Sequence, residues 1–136
     1  MFLPEEGLKD FITAPPAAAG EILAAEESLG LTLPEDYKAF LRLHDGATGW
    51  IGNTRFELWR AGELASINRD QSALGLLAFG GDGRDLLLAF DLRGQPFAVV
   101  IVPLAAFSQA AARLVATSFS GLFYHLARSE RSLFAR

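Results

Sequence analysis

The stretch from Leu74 to Val102 limits the possible folds more than any other part of the chain. Leu74 to Phe79 is a short apolar run, and Gly80-Gly81-Asp82-Gly83 breaks it. Asp85 to Leu92 is mostly apolar, Arg93-Gly94-Gln95-Pro96 breaks that, and Phe97 to Val102 is apolar again. Runs of this length suit strands, and glycine, aspartate and proline supply the dihedrals of a tight reversal. Two reversals in succession predict a three-stranded antiparallel meander. Leu86 to Phe90 and Phe97 to Val102 have almost no polar alternation, so these central strands need cover on both faces. The rest of the chain has to provide it.

Helices are the obvious cover. In Glu21 to Leu29, positions Ile22, Leu23, Glu26 and Leu29 follow helical spacing, while Glu21, Glu26 and Glu27 leave an acidic, wet face. Gly30 suits a left-handed cap with Leu31 folding back as its apolar partner. Leu33-Pro34 restarts the chain: proline at a first helical position sacrifices no hydrogen bond, and Glu35 and Asp36 complement the positive helix end. Tyr37, Phe40, Leu41 and His44 then recur as one core-facing stripe, which Asp45-Gly46 ends. Near the C-terminus, Ser118 reads as an N-cap, with Phe119, Leu122, Phe123 and Leu126 predicting a helix to about Arg128.

Other segments are less constrained. Gly46 to Asn53 is glycine-rich and reads as a loop. Arg55 to Trp59 alternates and predicts a strand with Phe56 and Leu58 on one face. Arg60 to Ser72 reads as irregular, with a turn of helix around Glu63 to Ile67. Pro103 to Ala112 is alanine-rich and fits helix or loop, and Arg113 to Thr117 fits a strand or a helix end. Met1 to Asp10 reads as a short helix or a frayed start, with Phe2, Leu3, Leu8, Phe11 and Ile12 available to pack back. Pro15-Pro16 forbids helix there. The expectation is one α+β domain over residues 1–136, with a lead-in at 1–20 and a basic tail at 129–136. Its sheet is mostly antiparallel, packed by N-terminal helices and a C-terminal helix.

With 136 residues, 51% of them hydrophobic and eleven of them phenylalanine, there is ample core material without staples. Cysteine is absent, which excludes disulfides, thiolate metal sites and cysteine nucleophiles and fits a reducing compartment. The acidic start lacks the basic, then apolar, pattern of a secretory signal, and the apolar runs are too short to span a bilayer. A cytoplasmic location with no membrane contact is therefore expected. The net charge is −4, unevenly spread: residues 1–91 hold fifteen acids and seven bases, and residues 92–136 hold one acid and five arginines. No clustered basic face suggests nucleic acid. The acidic front suits a basic partner or is ordinary solvated surface.

The segments Ala25-Glu26-Glu27-Ser28-Leu29-Gly30, Leu33-Pro34-Glu35-Asp36-Tyr37-Lys38-Ala39-Phe40-Leu41 and Asp45-Gly46 together resemble the opening signature of the SUKH superfamily. That group includes fungal cell-wall assembly regulators and bacterial immunity proteins of polymorphic toxin systems. Phe79-Gly80-Gly81-Asp82-Gly83-Arg84-Asp85 is similar to its Gly/Asp-rich turn before a strand, and Ser118-Phe119 to the start of its last helix. The likeness spans residues 21 to 127. Arg84, where the family often has glycine, and the alanine-rich 105–112 segment depart from it. The resemblance implies an α+β fold and a binding module rather than an enzyme, with no particular partner carried over.

Catalytic and metal motifs are weak by comparison. His44 and His125 fall on different predicted helices, and His44 lies on an apolar stripe, as a half-buried structural residue would. Thr117-Ser118-Phe119-Ser120-Gly121 lacks the first glycine of a nucleophile elbow and is better explained as a cap. Gly80 to Asp85 matches half of one calcium-binding repeat, but such sites form by stacking several repeats; a turn needing positive φ explains it equally well. No cofactor or metal is expected. The residues that could form an interface are Trp50 and Trp59 with the acids Asp45, Glu57, Asp82 and Asp85: an aromatic patch rimmed by carboxylates if the two loops converge. Either tryptophan could instead be core. The expected function is non-catalytic protein binding, most specifically immunity against a toxin domain. The alternative is a regulatory or scaffold domain that binds an endogenous protein.

Overall fold

The expected meander is present and longer than the sequence suggests. In the computed structural model, which describes residues 10–51, 53–69, 75–128, 132 and 134, seven antiparallel strands lie side by side in chain order. They are β1 (Asp10–Thr13), β2 (Ala47–Ile51), β3 (Thr54–Leu58), β4 (Leu76–Gly81), β5 (Leu86–Asp91), β6 (Ala98–Pro103) and β7 (Arg113–Ala116). Helices α1 (Ala19–Leu29) and α2 (Glu35–Leu43) fall between β1 and β2, α3 (Ala61–Ile67) between β3 and β4, and α4 (Phe119–Arg128) after β7. The architecture is α+β, as expected.

The helices form for the reasons their spacing indicates. Gly30 caps α1 at φ 70°, and the Leu31 N–H donates to the Glu26 carbonyl at 3.2 Å, so the chain turns back on itself. Pro34 sits one position before the first helical residue of α2, with ψ 141°, and its carbonyl accepts from the Lys38 N–H. Glu26 stitches this corner together. Its Oε2 accepts from the Leu33 N–H at 2.8 Å and lies 3.1 Å from Lys38 Nζ, which also meets Glu35 at 3.0 Å. Those carboxylates, Glu35 first, hold Lys38 protonated above the ordinary lysine range despite its burial. Ser118 caps α4 as expected, with its Oγ accepting from the Gly121 N–H at 3.0 Å.

The core lies between these helices and one face of the sheet. Tyr37, Phe40 and Leu41 of α2 and Phe119, Leu122 and Phe123 of α4 are fully buried. The Tyr37 ring sits 5.0 Å from Phe119 and 5.2 Å from Phe90, both edge-on, while Phe79 stacks on Phe90 at 4.2 Å. Such pairs add about 0.5–1.5 kcal/mol each beyond their buried area. Asp36 Oδ2 accepts from both the N–H and the hydroxyl of Ser120 at 2.9 Å, tying the start of α2 to the start of α4.

Three expectations need correction. Gly46 to Asn53 is not a loop: residues 47–51 form β2, paired on both sides by β1 and β3. Its glycine, Gly49, lowers intrinsic strand preference, but two neighbouring ladders outweigh that. Gly80 and Gly81 belong to β4 rather than to the following turn. Ile12 does not pack inward; it is 73% exposed on the edge strand β1. Of the predicted helix or frayed start at Met1 to Asp10, residues 1–9 lie outside the described residues, and Asp10 begins β1. The alanine-rich segment is a short 3₁₀ turn (Leu104–Ala106) followed by bends. From there, Phe107 and Ala112 pack onto Leu76, Ala89, Val100 and Val102. This strap supplies the second cover that the apolar strands β4 to β6 demand.

Candidate functional site on the outer face of the sheet

Half of the outer sheet face is dry beneath the strap, and the other half, over β1 to β3, is wet. Thr54, Phe56 and Leu58 point into the core, which puts Arg55 and Glu57 on the opposite face. Register then sets their neighbours. Trp50 pairs with Arg55, and Thr48 pairs with Ile12 on one side and Glu57 on the other. Directly opposed residues share a face, so Ile12, Thr48, Trp50, Arg55 and Glu57 form one surface. Trp50 is 46% exposed, a large apolar area for a solvent-facing strand position.

The turn after β4 borders this surface. Asp82 Oδ1 accepts from the Arg84 N–H at 2.8 Å and the Leu86 N–H at 3.1 Å, closing the turn on itself. Gly83 takes φ +78°, as expected, and lies against the side chains of Arg55 and Glu57. Asp85 is exposed on the same turn.

Of the six residues singled out from the sequence, five divide between two hollows, and Asp85 lines neither. One, of about 480 Å³ beside the β2–β3 hairpin, is lined by Trp50, Asn53, Arg55, Asp82 and Arg84, with Phe134. The other, of about 510 Å³ at the opposite end of the strands, is a groove that takes in Asp45, Glu57, Trp59 and Glu63, with Ile12 on its rim. The exposed tryptophan thus lies with arginines, and the half-buried tryptophan lies with carboxylates. Asp45 is 9% exposed. Its Oδ1 accepts from the N–H of Ala61, the first residue of α3, at 2.8 Å, so it caps a helix sixteen positions away. Complete burial of the Tyr37 ring, and after it the negative charge of Asp45, push the Tyr37 hydroxyl far above the ordinary tyrosine range.

Sequence reasoning did not single out Ile12, Arg55, Glu63 or Arg84. The signal for Arg55 was available, since the alternation that turns Phe56 inward turns Arg55 outward with Glu57. Glu63 closes the first turn of α3, its Oε1 accepting from the Arg60 N–H at 3.2 Å, a pattern of the capping-box type. His44 lies at the end of α2 against Phe40, and His125 is exposed on α4. Among the described residues, no group of three or more metal-ligating side chains converges, and no helix is long and apolar enough to cross a membrane.

The segments that carried the resemblance each have a physical task in this fold. Leu29-Gly30 ends α1, Tyr37 and Phe40 fill the aromatic core, Asp45 caps α3, and Ser118-Phe119 starts α4. Comparison with curated proteins finds no match. The profile of the SMI1 / KNR4 family (SUKH-1) matches residues 16–124, which takes in every one of these segments. The chain belongs to that family.

Proposed function

We propose that this chain is a non-catalytic protein-binding module, and specifically a cytoplasmic immunity protein that neutralises a toxin domain by covering its working surface. Family membership is consistent with immunity or regulatory protein binding. The observation that carries the reading to a particular face is Trp50, half-exposed on the wet half of the sheet and flanked by Arg55. Tryptophan and arginine together are the residue types in which interfaces concentrate their energy. A flat strand surface with charge at both ends suits a folded partner better than a small molecule. The mechanism is steric and electrostatic, with carboxylates facing a basic region of the partner, as in inhibition of a nuclease groove.

The test is co-expression with the product of the adjacent reading frame, followed by calorimetric titration of the purified pair. A partner that is toxic alone, harmless with this chain and bound one-to-one supports immunity. Trp50→Ala should weaken that complex about 30-fold, the effect of losing a hot-spot side chain, and leave the melting temperature unchanged. Unaltered affinity would remove this face from the interface. A stoichiometric partner that is not toxic would replace immunity with the regulatory reading.

A further inference from the structure

Resting on the protein-binding reading above, we infer that the hollow beside the β2–β3 hairpin receives one acidic side chain, glutamate or aspartate, presented by the partner. The hollow measures about 480 Å³ and combines cations with apolar surface. Arg55 and Arg84 stand on its walls, and both are exposed. Trp50 and the nearly buried ring of Phe134 supply the apolar surface beside them. Among the described residues, neither arginine takes part in an ion pair. That is not for want of acids nearby. Asp82 lines the same hollow, but its Oδ1 already accepts from the N–H groups of Arg84 and Leu86. Glu57 lies two residues along β3 from Arg55, with Gly83 against both, and lines the groove at the other end of the strands instead.

Two guanidinium groups beside an exposed indole match a carboxylate that has an apolar neighbour. Each arginine offers a planar fork of N–H donors that fits the two oxygens of a carboxylate. The indole of Trp50 then covers the apolar side chain next to it. The charge pattern selects protein over nucleic acid. Arg55 and Glu57 stand on one face of one strand, so the sign of the charge reverses within about 7 Å. A nucleic-acid strand carries a negative charge at every nucleotide, so a phosphate held by Arg55 brings another against Glu57. A protein can present a single carboxylate with neutral or basic residues beside it and escape that repulsion. The same reversal fixes how the partner docks. Its acid goes to the hairpin end, and its basic region goes toward Glu57 and Asp45. The opposite orientation sets like charges together at both ends.

The test uses small probes, so it does not depend on identifying the partner. The ¹⁵N-labelled protein is titrated with acetyl-Leu-Glu-Leu-amide, with its neutral isostere acetyl-Leu-Gln-Leu-amide and with tetrathymidylate. Saturable shifts of the Trp50 indole signal and the Arg84 amide are expected with the glutamate peptide. Its Kd should be on the order of millimolar, as befits a ligand with few contacts. The glutamine peptide should bind at least about fivefold more weakly, and an Arg55→Gln/Arg84→Gln double variant should weaken the glutamate peptide by a similar factor. Both arginines are exposed, so an unchanged Tm is expected and shows that the variant is folded. Four results would each overturn the inference: no saturable shift with the glutamate peptide, equal binding of the glutamine peptide, unchanged affinity in the double variant, or tighter binding of tetrathymidylate, which would assign the hollow to nucleic acid. If the peptide fails while the intact partner still binds and Trp50→Ala still weakens it, the hollow is excluded as an acid receptor and the protein-binding reading stands. If the peptide binds but no protein partner does, the hollow stands and that reading falls.

Discussion

Asn68 gives the sharpest test of how the sheet is held. Strand β4 runs past the end of its partner: pairing with β3 covers only Gly80 and Gly81, opposite Leu58 and Glu57. At Ala78 there is no β3 residue to meet the backbone, and the Asn68 side chain takes that place. Its Oδ1 accepts from the Ala78 N–H at 2.7 Å, and its Nδ2 donates to the carbonyls of Ala78 at 2.9 Å and Leu64 at 2.8 Å. Asn68 is 1% exposed and Ala78 fully buried. Asn68→Ala would orphan both polar groups of Ala78, while the Leu64 carbonyl keeps the Asn68 N–H at 3.0 Å. Each orphaned buried group costs about 1–2 kcal/mol, so the substitution should cost roughly 3 kcal/mol. For a chain of this size that lowers Tm by roughly 10 °C. Urea unfolding followed by tryptophan fluorescence reads the change as a lower midpoint at unaltered slope. Asn68→Asp separates polar satisfaction from packing. It keeps the shape and the acceptor but turns a carboxylate toward two carbonyls, so it should be at least as damaging at pH 7 and partly rescued in acid, where the carboxyl can donate. A loss below about 1 kcal/mol for Asn68→Ala would refute the claim that this side chain stands in for a strand.

Two other substitutions follow from geometry. A Cβ at Gly80 would run into the backbone carbonyl oxygen of Glu57, so Gly80→Ala should cost about 2–3 kcal/mol by prising β3 from β4; Gly94→Ala, with open space around it, should change stability by less than about 0.5 kcal/mol in the same denaturation assay. Asp91 is held below its ordinary value of 3.8, first by its hydrogen bond from the Arg93 side chain, so the stabilisation is present above pH 3.8 and disappears as the pH falls through the lowered value. Arg93→Ala should therefore be less stable than the parent at pH 7, and the two unfolding midpoints should converge in acid; a gap that persists below that window would assign the loss to something other than this pair.

What the sequence revealed depended on whether a single element contained its own signal. Tyr37, Phe40 and Leu41, and likewise Phe119, Leu122 and Phe123, repeat at helical spacing within one segment, so both core helices were legible. β2 was not, because Gly49 interrupts its alternation and its stability comes from ladders on either side. Asn68 was invisible for a related reason: its role is defined by where β3 ends, not by its neighbours in sequence. The candidate site shows the same division. Trp50 and Glu57 were identifiable as residue types suited to an interface, but their separation into an arginine-bordered hollow and a carboxylate-lined groove follows from register. Asp45 looked like a surface acid next to a glycine, and only tertiary structure places it beneath the first residue of α3.

The strictly sequential order of the strands has a consequence for how the chain reaches its folded state during synthesis. Each strand pairs only with the strand made immediately before or after it, so the sheet can lengthen as the ribosome releases the chain. The aromatic interior cannot close on that schedule. Asp36 waits for Ser120, eighty-four residues downstream, and Tyr37 waits for Phe119. Until α4 emerges, the rings of α2 face an unfinished lid. The last helix made is therefore the step that turns a growing sheet into a closed protein, and a chain cut short before Phe119 would leave its most apolar surface open to aggregation.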